Sequence, residues 1–511
     1  MTTHHSWQRT KIVCTLGPAT DHPGVIEQLI ECGMDVARVN TSHGDHADHA
    51  RRIERVRNAA QALGQPVAIL MDLPGPKFRI GDLPEDFRKL AEGAIVRLAA
   101  EGGIAEEEGE AREGSNVLPV RNTELLQALR VGEPVFLADG SIELCVKTTT
   151  ATHVRCEVVI GGTVRSGSGI NIPESALAAL VPTDDDRRHL AFAVTQAVEW
   201  VGVSFVQSAG DLARVRACLP PGAGAQPLLI AKIEKRRGLA DLEAIVEASD
   251  GVMVARGDLG VETDLAEIPV VQKRIIAAAN ARGRPVITAT QMLESMVEHE
   301  HPTRAEATDI ANAVLDGTDA VMLSAETAIG RFPIAAVRFL ARVLAATEKG
   351  YSLHMAHDRM RATDMPSSPD NALSFAACQL AARLSARAII VPARTMAAAL
   401  AIARFRPQAP LVVVASSMRL YRSLALVRGV SPLLVIASGT GGTGLQGCLV
   451  QAREWLISHE LAEADDQVVL VFASGSACEQ PDTLRTIRLS TDECTDKGTG
   501  TTDVRYNSGS T

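Results

Sequence analysis

The sequence predicts an α/β protein: a (β/α)8 TIM barrel, a small β-barrel lid domain inserted into it, and an open α/β domain at the C-terminal end. Three observations predict this. Eight short β-branched runs alternate with amphipathic helical stretches, the pattern of a parallel sheet covered by helices. The stretch between the third and fourth runs carries only short strand-like segments and turns, and after Glu348 the alternation starts afresh. At roughly 150 residues per domain, 511 residues accommodate three such units.

Residues 1–10 read as an N-terminal tail without the apolar core of a signal peptide. The barrel is expected over 11–80 and 168–350. Its strands are Ile12 to Thr15, Val36 to Asn40, Val67 to Asp72, Trp200 to Phe205, Leu228 to Ile233, Gly251 to Ala255, Pro285 to Thr290 and Ala320 to Ala325. Helical patterns run between them, such as Val25 to Cys32 before Gly33, Asp48 to Leu63 before Gly64, and Ile268 to Arg282 before Gly283, each glycine suiting a left-handed cap. The count of eight requires 81–167 to be an insertion. There Ala94 to Leu98, Val135 to Leu137, Ile142 to Val146 and Val154 to Ile160 alternate as strands, with a turn at Asp139-Gly140 and an acidic solvated loop at Glu106 to Glu113. A small all-β lid over the barrel mouth fits. The third domain, 365–490, begins with a helix at Asn371 to Leu384. Strands follow near Ala388 to Val391, Leu411 to Ala415, Leu433 to Ile436, Val468 to Ala473 and Thr486 to Leu489. The Thr-, Gly- and Ser-rich stretch 491–511 is expected to be a disordered tail.

Composition narrows the function. With 46% hydrophobic residues, 22% charged and only 3% aromatic, the chain packs aliphatic cores and has little for base stacking. A net charge of −10 opposes nucleic acid, whose binding draws on cations. No run of about 18 apolar residues exists to span a bilayer, so neither a nucleic-acid nor a membrane partner is expected. Nine scattered cysteines without a C-x-x-C pair read as reduced packing residues of a cytoplasmic chain.

Active sites of such barrels collect at the C-terminal ends of the strands, and the polar residues sit there. The second strand ends Arg38-Val39-Asn40-Thr41-Ser42-His43-Gly44 and the third Asp72-Leu73-Pro74-Gly75-Pro76-Lys77-Phe78-Arg79. On the fifth, Lys232 and Glu234 are two residues apart, so strand alternation places both side chains on one face. Arg256-Gly257-Asp258 follows the sixth, Thr288-Ala289-Thr290-Gln291 ends the seventh, and Ser324-Ala325-Glu326-Thr327 the eighth. Two carboxylates, Glu234 and Asp258, beside lysine and arginine suit Mg²⁺ bridging a phosphorylated substrate. Phosphoryl transfer needs this equipment: cations on the moving group and hard oxygen ligands for the metal. His43, His46 and His49 read as a solvated face, and His299 and His301 as a loop. Gly439 to Gly444 fits G-x-G-x-x-G, but Asp465 and Asp466 precede the following strand instead of ending it, so a loop is the better reading. No G-x-x-x-x-G-K-[ST] is present.

Together these motifs resemble the pyruvate kinase family. The similarity rests on ARVNTSHG (37–44), AKIEKRRG (231–238), VARGDLGVE (254–262), ITATQMLESM (287–296), PTRAEATDIANAVLDGTDAVMLSAETAIG (302–330) and the weaker ARFRPQAP (403–410). The resemblance implies transfer of the phosphoryl group of phosphoenolpyruvate to ADP, giving pyruvate and ATP in glycolysis, by a homotetramer. It implies that Lys232 stabilises the transferring group, that Glu234 and Asp258 hold Mg²⁺ (or Mn²⁺), and that Arg38 contacts the phosphate. It also implies that the backbone of Ala255, Arg256, Gly257 and Asp258 cradles the substrate carboxylate, and that Thr290 lies near the enolate. Ser324 and Glu326 match a water-linked proton relay, and Asn40, His43 and Arg79 match the nucleotide and phosphate site.

Departures from the family pattern carry expectations of their own. Many members carry Asp-Thr-Lys-Gly-Pro-Glu at the third strand and bind K⁺ at positions matching Asn40, Ser42, Asp72 and Leu73. Here Leu73 replaces the Thr and Lys77 the Glu, so the Lys77 ammonium is expected to stand in for K⁺, as in the potassium-independent branch. Ser168 stands where a lysine is common, so one lid contact to nucleotide phosphate is expected to be missing. Arg237 replaces an acidic or small polar residue. Pro392-Ala393-Arg394-Thr395-Met396 lacks the hydroxyl-rich phosphate loop of sugar-phosphate-activated members, so fructose bisphosphate activation is not expected. Two alternatives stay open here: a Mg²⁺-dependent pyruvate or phosphoenolpyruvate lyase or aldolase, and a catalytically silent metabolite-binding paralogue.

Overall fold

In the computed structural model the described residues are 8–101, 117–121, 123–138, 140–150, 152–172, 181–221, 226–350, 369–435, 445–473, 481–489 and 504–505. The eight expected runs form β1 (Lys11–Thr15), β2 (Val36–Asn40), β3 (Ala68–Asp72), β4 (Trp200–Val203), β5 (Leu228–Ile233), β6 (Gly251–Ala255), β7 (Val286–Ala289) and β8 (Ala320–Leu323). They close into a parallel barrel in chain order. Both faces are covered, which is why the strands read as near-continuous apolar runs up to their ends instead of alternating.

Alternation survives in where the side chains go. Val36, Leu70, Trp200, Ile230, Met253, Ile287 and Met322 fill the barrel interior. Their strand neighbours, such as Val39, Ile69, Val201, Ala231, Val254 and Val321, pack outward against the helices. Counting upward by two from the interior residues leads to Arg38, Asp72, Gly202 and Lys232, so the inward column turns from apolar to charged at the strand ends. The glycine is a requirement of space: a Cβ on Gly202 would stand 3.1 Å from Asp72 Oδ1.

The inserted unit is a seven-stranded sheet with a separate two-stranded one (Phe87–Leu90 with Gly162–Arg165). It differs from the expected all-β insertion in two ways. A helix covers Thr123–Ala128, and the sheet takes in Phe78–Arg79 and Gly169–Asn171, which flank 81–167. The acidic segment 106–113 lies outside the described residues.

The third unit is a six-stranded sheet in the order Val430–Leu434, Leu411–Ala415, Ile389–Ala393, Gln467–Phe472, Thr483–Arg488, Val504–Arg505. Its first four strands are parallel and the last two antiparallel. The strand expected at Leu433 to Ile436 lies three residues earlier because Pro432 is tolerated: the strand is at the sheet edge, where a missing N–H costs no ladder bond. Residues 504–505, expected to be disordered, pair with Thr483 and Leu484. Residues 439–444 and the rest of 490–511 lie outside the described residues.

This unit meets the N-terminal end of the barrel. Ala425 and Leu426 are buried in the same apolar group as the barrel interior, and Trp200 Nε1 donates to the Ser423 carbonyl at 3.2 Å. Around this contact, Arg406 reaches Asp319 at 3.4 Å and the buried Arg428 lies 3.9 Å from Glu348. Among the described residues no helix is long and apolar enough to cross a membrane, and none of the seven described cysteines is in a disulfide.

Candidate active site

The charged top of the barrel interior opens into a cavity of about 400 Å³. Its lining takes Arg38, Asn40, Ser42 and His43 from the end of β2. The end of β3 adds Asp72, Leu73, Lys77 and Arg79, the end of β5 Lys232 and Glu234, and the residues after β6 Asp258; Ala138 and Gly167 to Gly169 come from the lid side. Strand registry explains the convergence: Asn40 pairs with Asp72, Asp72 with Gly202, and Lys232 with Met253 on adjacent rungs.

Lys232 is the centre. Its Nζ donates to Ser204 Oγ at 2.7 Å and lies 3.0 Å from Asp72 Oδ1 and 2.9 Å from Glu234 Oε1. Burial works against the charge, but the Asp72 and Glu234 carboxylates outweigh it and hold the ammonium above its ordinary value. Asp72 is itself below its ordinary value: burial opposes ionisation, and Lys232 and Arg38 more than compensate. Arg38 bonds Asp72 Oδ2 through Nε at 2.8 Å and Nη2 at 2.6 Å, and Nη1 reaches Thr15 Oγ1 at 3.0 Å.

Glu234 Oε2 accepts the Phe205 N–H at 2.7 Å. Burial pushes its carboxyl up to about 7, with Lys232 opposing and Asp258 adding to the rise. Two carboxylates facing one cavity, one of them pushed up by burial and by the other's charge, fit a hard divalent cation. Among the described residues no group of three or more acidic, imidazole or thiolate side chains is gathered to hold a metal by itself. The remaining ligands would be substrate oxygens and water, the usual arrangement for Mg²⁺. Lys77 Nζ stands 3.8 Å from Asp258 Oδ1, in the same cavity as Asn40, Ser42, Asp72 and Leu73. Asn40 Oδ1 accepts the Ser42 N–H at 3.2 Å, Arg79 Nη1 donates to the Gly167 carbonyl at 2.9 Å, and Ser168 Oγ accepts the Arg165 N–H at 3.0 Å. His43 is exposed, its imidazole lowered by partial burial and by Arg79, Arg38 and Lys77.

A second group of residues lies beside the cavity. Thr290 has φ +68 and Gln291 φ +56, left-handed backbone rare for a β-branched residue. Thr290 Oγ1 donates to the Ala289 carbonyl at 2.6 Å and accepts the Gly257 N–H at 2.8 Å. The Arg256 guanidinium turns away from the cavity lining toward the Thr290 carbonyl and Asp309. Glu326 is fully buried, accepting the Leu293 and Ser324 N–H groups at 3.0 and 2.7 Å, and Ser324 Oγ is buried with no hydrogen-bond partner.

Ser204 is a site residue that the strand-end reading passed over. The signal was present, since Ser204 follows β4 as Asp72 follows the apolar run of β3, but a single hydroxyl among Val203, Phe205 and Val206 is easily read as packing. The histidine reading is corrected: His49 is buried, and His46 stacks on Phe192 and meets His189 Nδ1 at 3.0 Å. His49 heads the buried stripe of the His46–Leu63 helix, continued by Ile53, Val56 and Ala60 at helical spacing.

Comparison with known proteins adds an independent line. The family model "Pyruvate kinase, barrel domain" matches residues 7–337, and "Pyruvate kinase, alpha/beta domain" matches residues 371–489. A pyruvate kinase of Mycobacterium tuberculosis (strain H37Rv) is 40% identical over 405 residues, covering 79% of this chain and 83% of the relative. Pyruvate kinase 2 of Synechocystis is 40% identical over 420 residues (80% and 67%), and the pyruvate kinase of Thermotoga maritima 38% identical over 413 (81% and 85%).

Proposed function

The chain belongs to the pyruvate kinase family, and from that premise we propose how its own residues divide the work of the reaction and which monovalent ion it dispenses with. The phosphoryl group passes from the enol oxygen of phosphoenolpyruvate to the β-phosphate of ADP, and the enolate left behind takes a proton at its methylene carbon to become pyruvate. Membership of this family leaves the lyase or aldolase alternative without support; a silent paralogue would share the family's sequence, and ATP formation is what separates it from the kinase.

The observation that carries the assignment of roles is the Lys232 ammonium, kept charged by Asp72 and Glu234 at 3.0 and 2.9 Å and standing at the floor of the cavity. Fixed positive charge aimed at the moving group is the main demand of phosphoryl transfer. Arg38, clamped by Asp72, meets the substrate phosphate, and Asn40, His43 and Arg79 face the nucleotide. Glu234 and Asp258 hold Mg²⁺, which when bound screens the phosphate oxygens. The backbone from Ala255 to Asp258 receives the carboxylate. Thr290 borders the enolate, with Ser324 and Glu326 behind it as a relay through water.

Potassium is not needed in this reading, because Lys77 brings a permanent cation to the cavity wall that Asn40, Ser42, Asp72 and Leu73 share. Fructose bisphosphate does not activate the enzyme, which works as a cytoplasmic homotetramer. The division is 11–80 with 168–350 for catalysis, 81–167 as lid and 365–490 as the third domain. The test is ATP formation from phosphoenolpyruvate and ADP with Mg²⁺, once with K⁺ and once with tetramethylammonium as the only monovalent cation. Equal turnover supports the whole reading; turnover with K⁺ alone keeps the kinase and discards the role of Lys77.

A further inference from the structure

Arg256 is buried, with 9% of its surface exposed, and its guanidinium bridges the loop at Thr290 and the helix Arg304–Asp316. Nη2 and Nε donate to the Thr290 carbonyl at 2.6 and 3.2 Å, while Nη1 donates to Asp309 Oδ2 at 2.6 Å. The carbonyl it grips belongs to a β-branched residue at φ +68, followed by Gln291 at φ +56. Such backbone persists only where its surroundings over-determine it. Two contacts fix the Thr290 hydroxyl, the Ala289 carbonyl and the Gly257 N–H, but neither holds the peptide group that follows the strained φ. The guanidinium does.

We propose that Arg256 is a positioning residue for Thr290: its planar fork, anchored on Asp309, holds the Thr290 peptide in the left-handed conformation that aims the side chain at the reacting carbon. This rests on the reading of Thr290 as a neighbour of the enolate. Lysine cannot replace the fork, because a single ammonium does not present parallel N–H groups to one carbonyl while reaching a carboxylate on the other side. Arg256 touches no substrate through its side chain, so its removal weakens the protonation step more than binding.

The experiment compares Arg256→Lys, Asp309→Ala and Thr290→Ala with the parent enzyme. Arg256→Lys is expected to lower kcat by about 10²-fold, the scale of a misplaced reacting group, with KM for phosphoenolpyruvate within about threefold of the parent. The solvent deuterium isotope effect on kcat should rise, because proton delivery becomes limiting; partial unfolding would lower kcat without moving that ratio. An unchanged kcat and isotope effect in a folded Arg256→Lys protein overturns the inference. Should that variant not fold, Asp309→Ala leaves the guanidinium in place without its anchor, and a lower kcat with a raised isotope effect supports the inference while parent behaviour overturns it. Thr290→Ala separates the two levels: near-parent turnover there removes the reading of Thr290 and the inference with it. A slow Thr290→Ala beside a normal Arg256→Lys removes the inference alone.

Discussion

Lys232 carries its charge in a place that burial alone would neutralise, because Asp72 and Glu234 stand within 3.0 Å of it. Replacing it by methionine removes the ammonium at the cavity floor, and kcat is expected to fall by at least about 10²-fold, the loss seen when one preorganised donor is removed. The same change leaves the buried Glu234 without its cationic partner and Asp72 with Arg38 alone, a defect on the order of 3–5 kcal/mol, so turnover is to be measured below the variant's own thermal transition. Near-normal kcat in the folded variant would refute the role. Lys77 sits at the other wall, 3.8 Å from Asp258. Unit charges about 4 Å apart interact by about 4 kcal/mol near a protein surface, so Lys77→Glu should make turnover in tetramethylammonium roughly tenfold or more lower than in K⁺. Equal turnover of that variant in both ions would show that the lysine has no part in replacing potassium.

At the scale of elements, the helix His46–Leu63 shows how a polar side chain joins a core. Both ring nitrogens of His49 are buried without a hydrogen-bond partner. Burial, with Arg52, His189 and His46 nearby, lowers the imidazole to about 4. The unfolded chain takes up this proton near pH 6.5 and the folded one does not until about 4, so His49 contributes stability above about pH 6.5 and loses it as the pH falls toward 4. His49→Leu should therefore flatten the fall of the thermal midpoint between about pH 7 and pH 5; a fall parallel to the parent's would contradict this. The barrel strands were legible because buried parallel strands are unbroken β-branched runs, and their polar ends because charge interrupts those runs. What escaped had weaker chemistry. Ser204 is one small hydroxyl, the Thr123–Ala128 helix is too short to show a period, and Pro432 hides an edge strand that needs no N–H. His49 lay in plain view on the 49, 53, 56, 60 stripe, but a histidine is counted as polar before its spacing is considered. That Arg256 would turn from the cavity to hold Thr290 is set by three segments far apart in the chain, at 256, 290 and 309, which no single stretch of sequence reports.

For the whole molecule, the barrel interior is one packed column, with the Lys232 ammonium at its upper end and Leu426 of the third domain at its lower. Leu426→Ala removes a fully buried side chain from that column, a change of about 2–5 kcal/mol, and the thermal midpoint should drop accordingly; an unchanged midpoint would mean that the contact bears no weight. Gly75 shows the same tightness at the upper end, where a Cβ would come within 2.8 Å of the Phe205 ring. Trp200 lies inside the column, fully buried, and its indole N–H crosses to the Ser423 carbonyl of the third domain. The chain has three tryptophans, and Trp455 belongs to a helix of the third domain, stacked on His459. The protein thus holds an optical gauge at its own domain boundary: Trp200 emission stays blue while the third domain is seated and moves to the red when water reaches the indole, so undocking can be watched without a label.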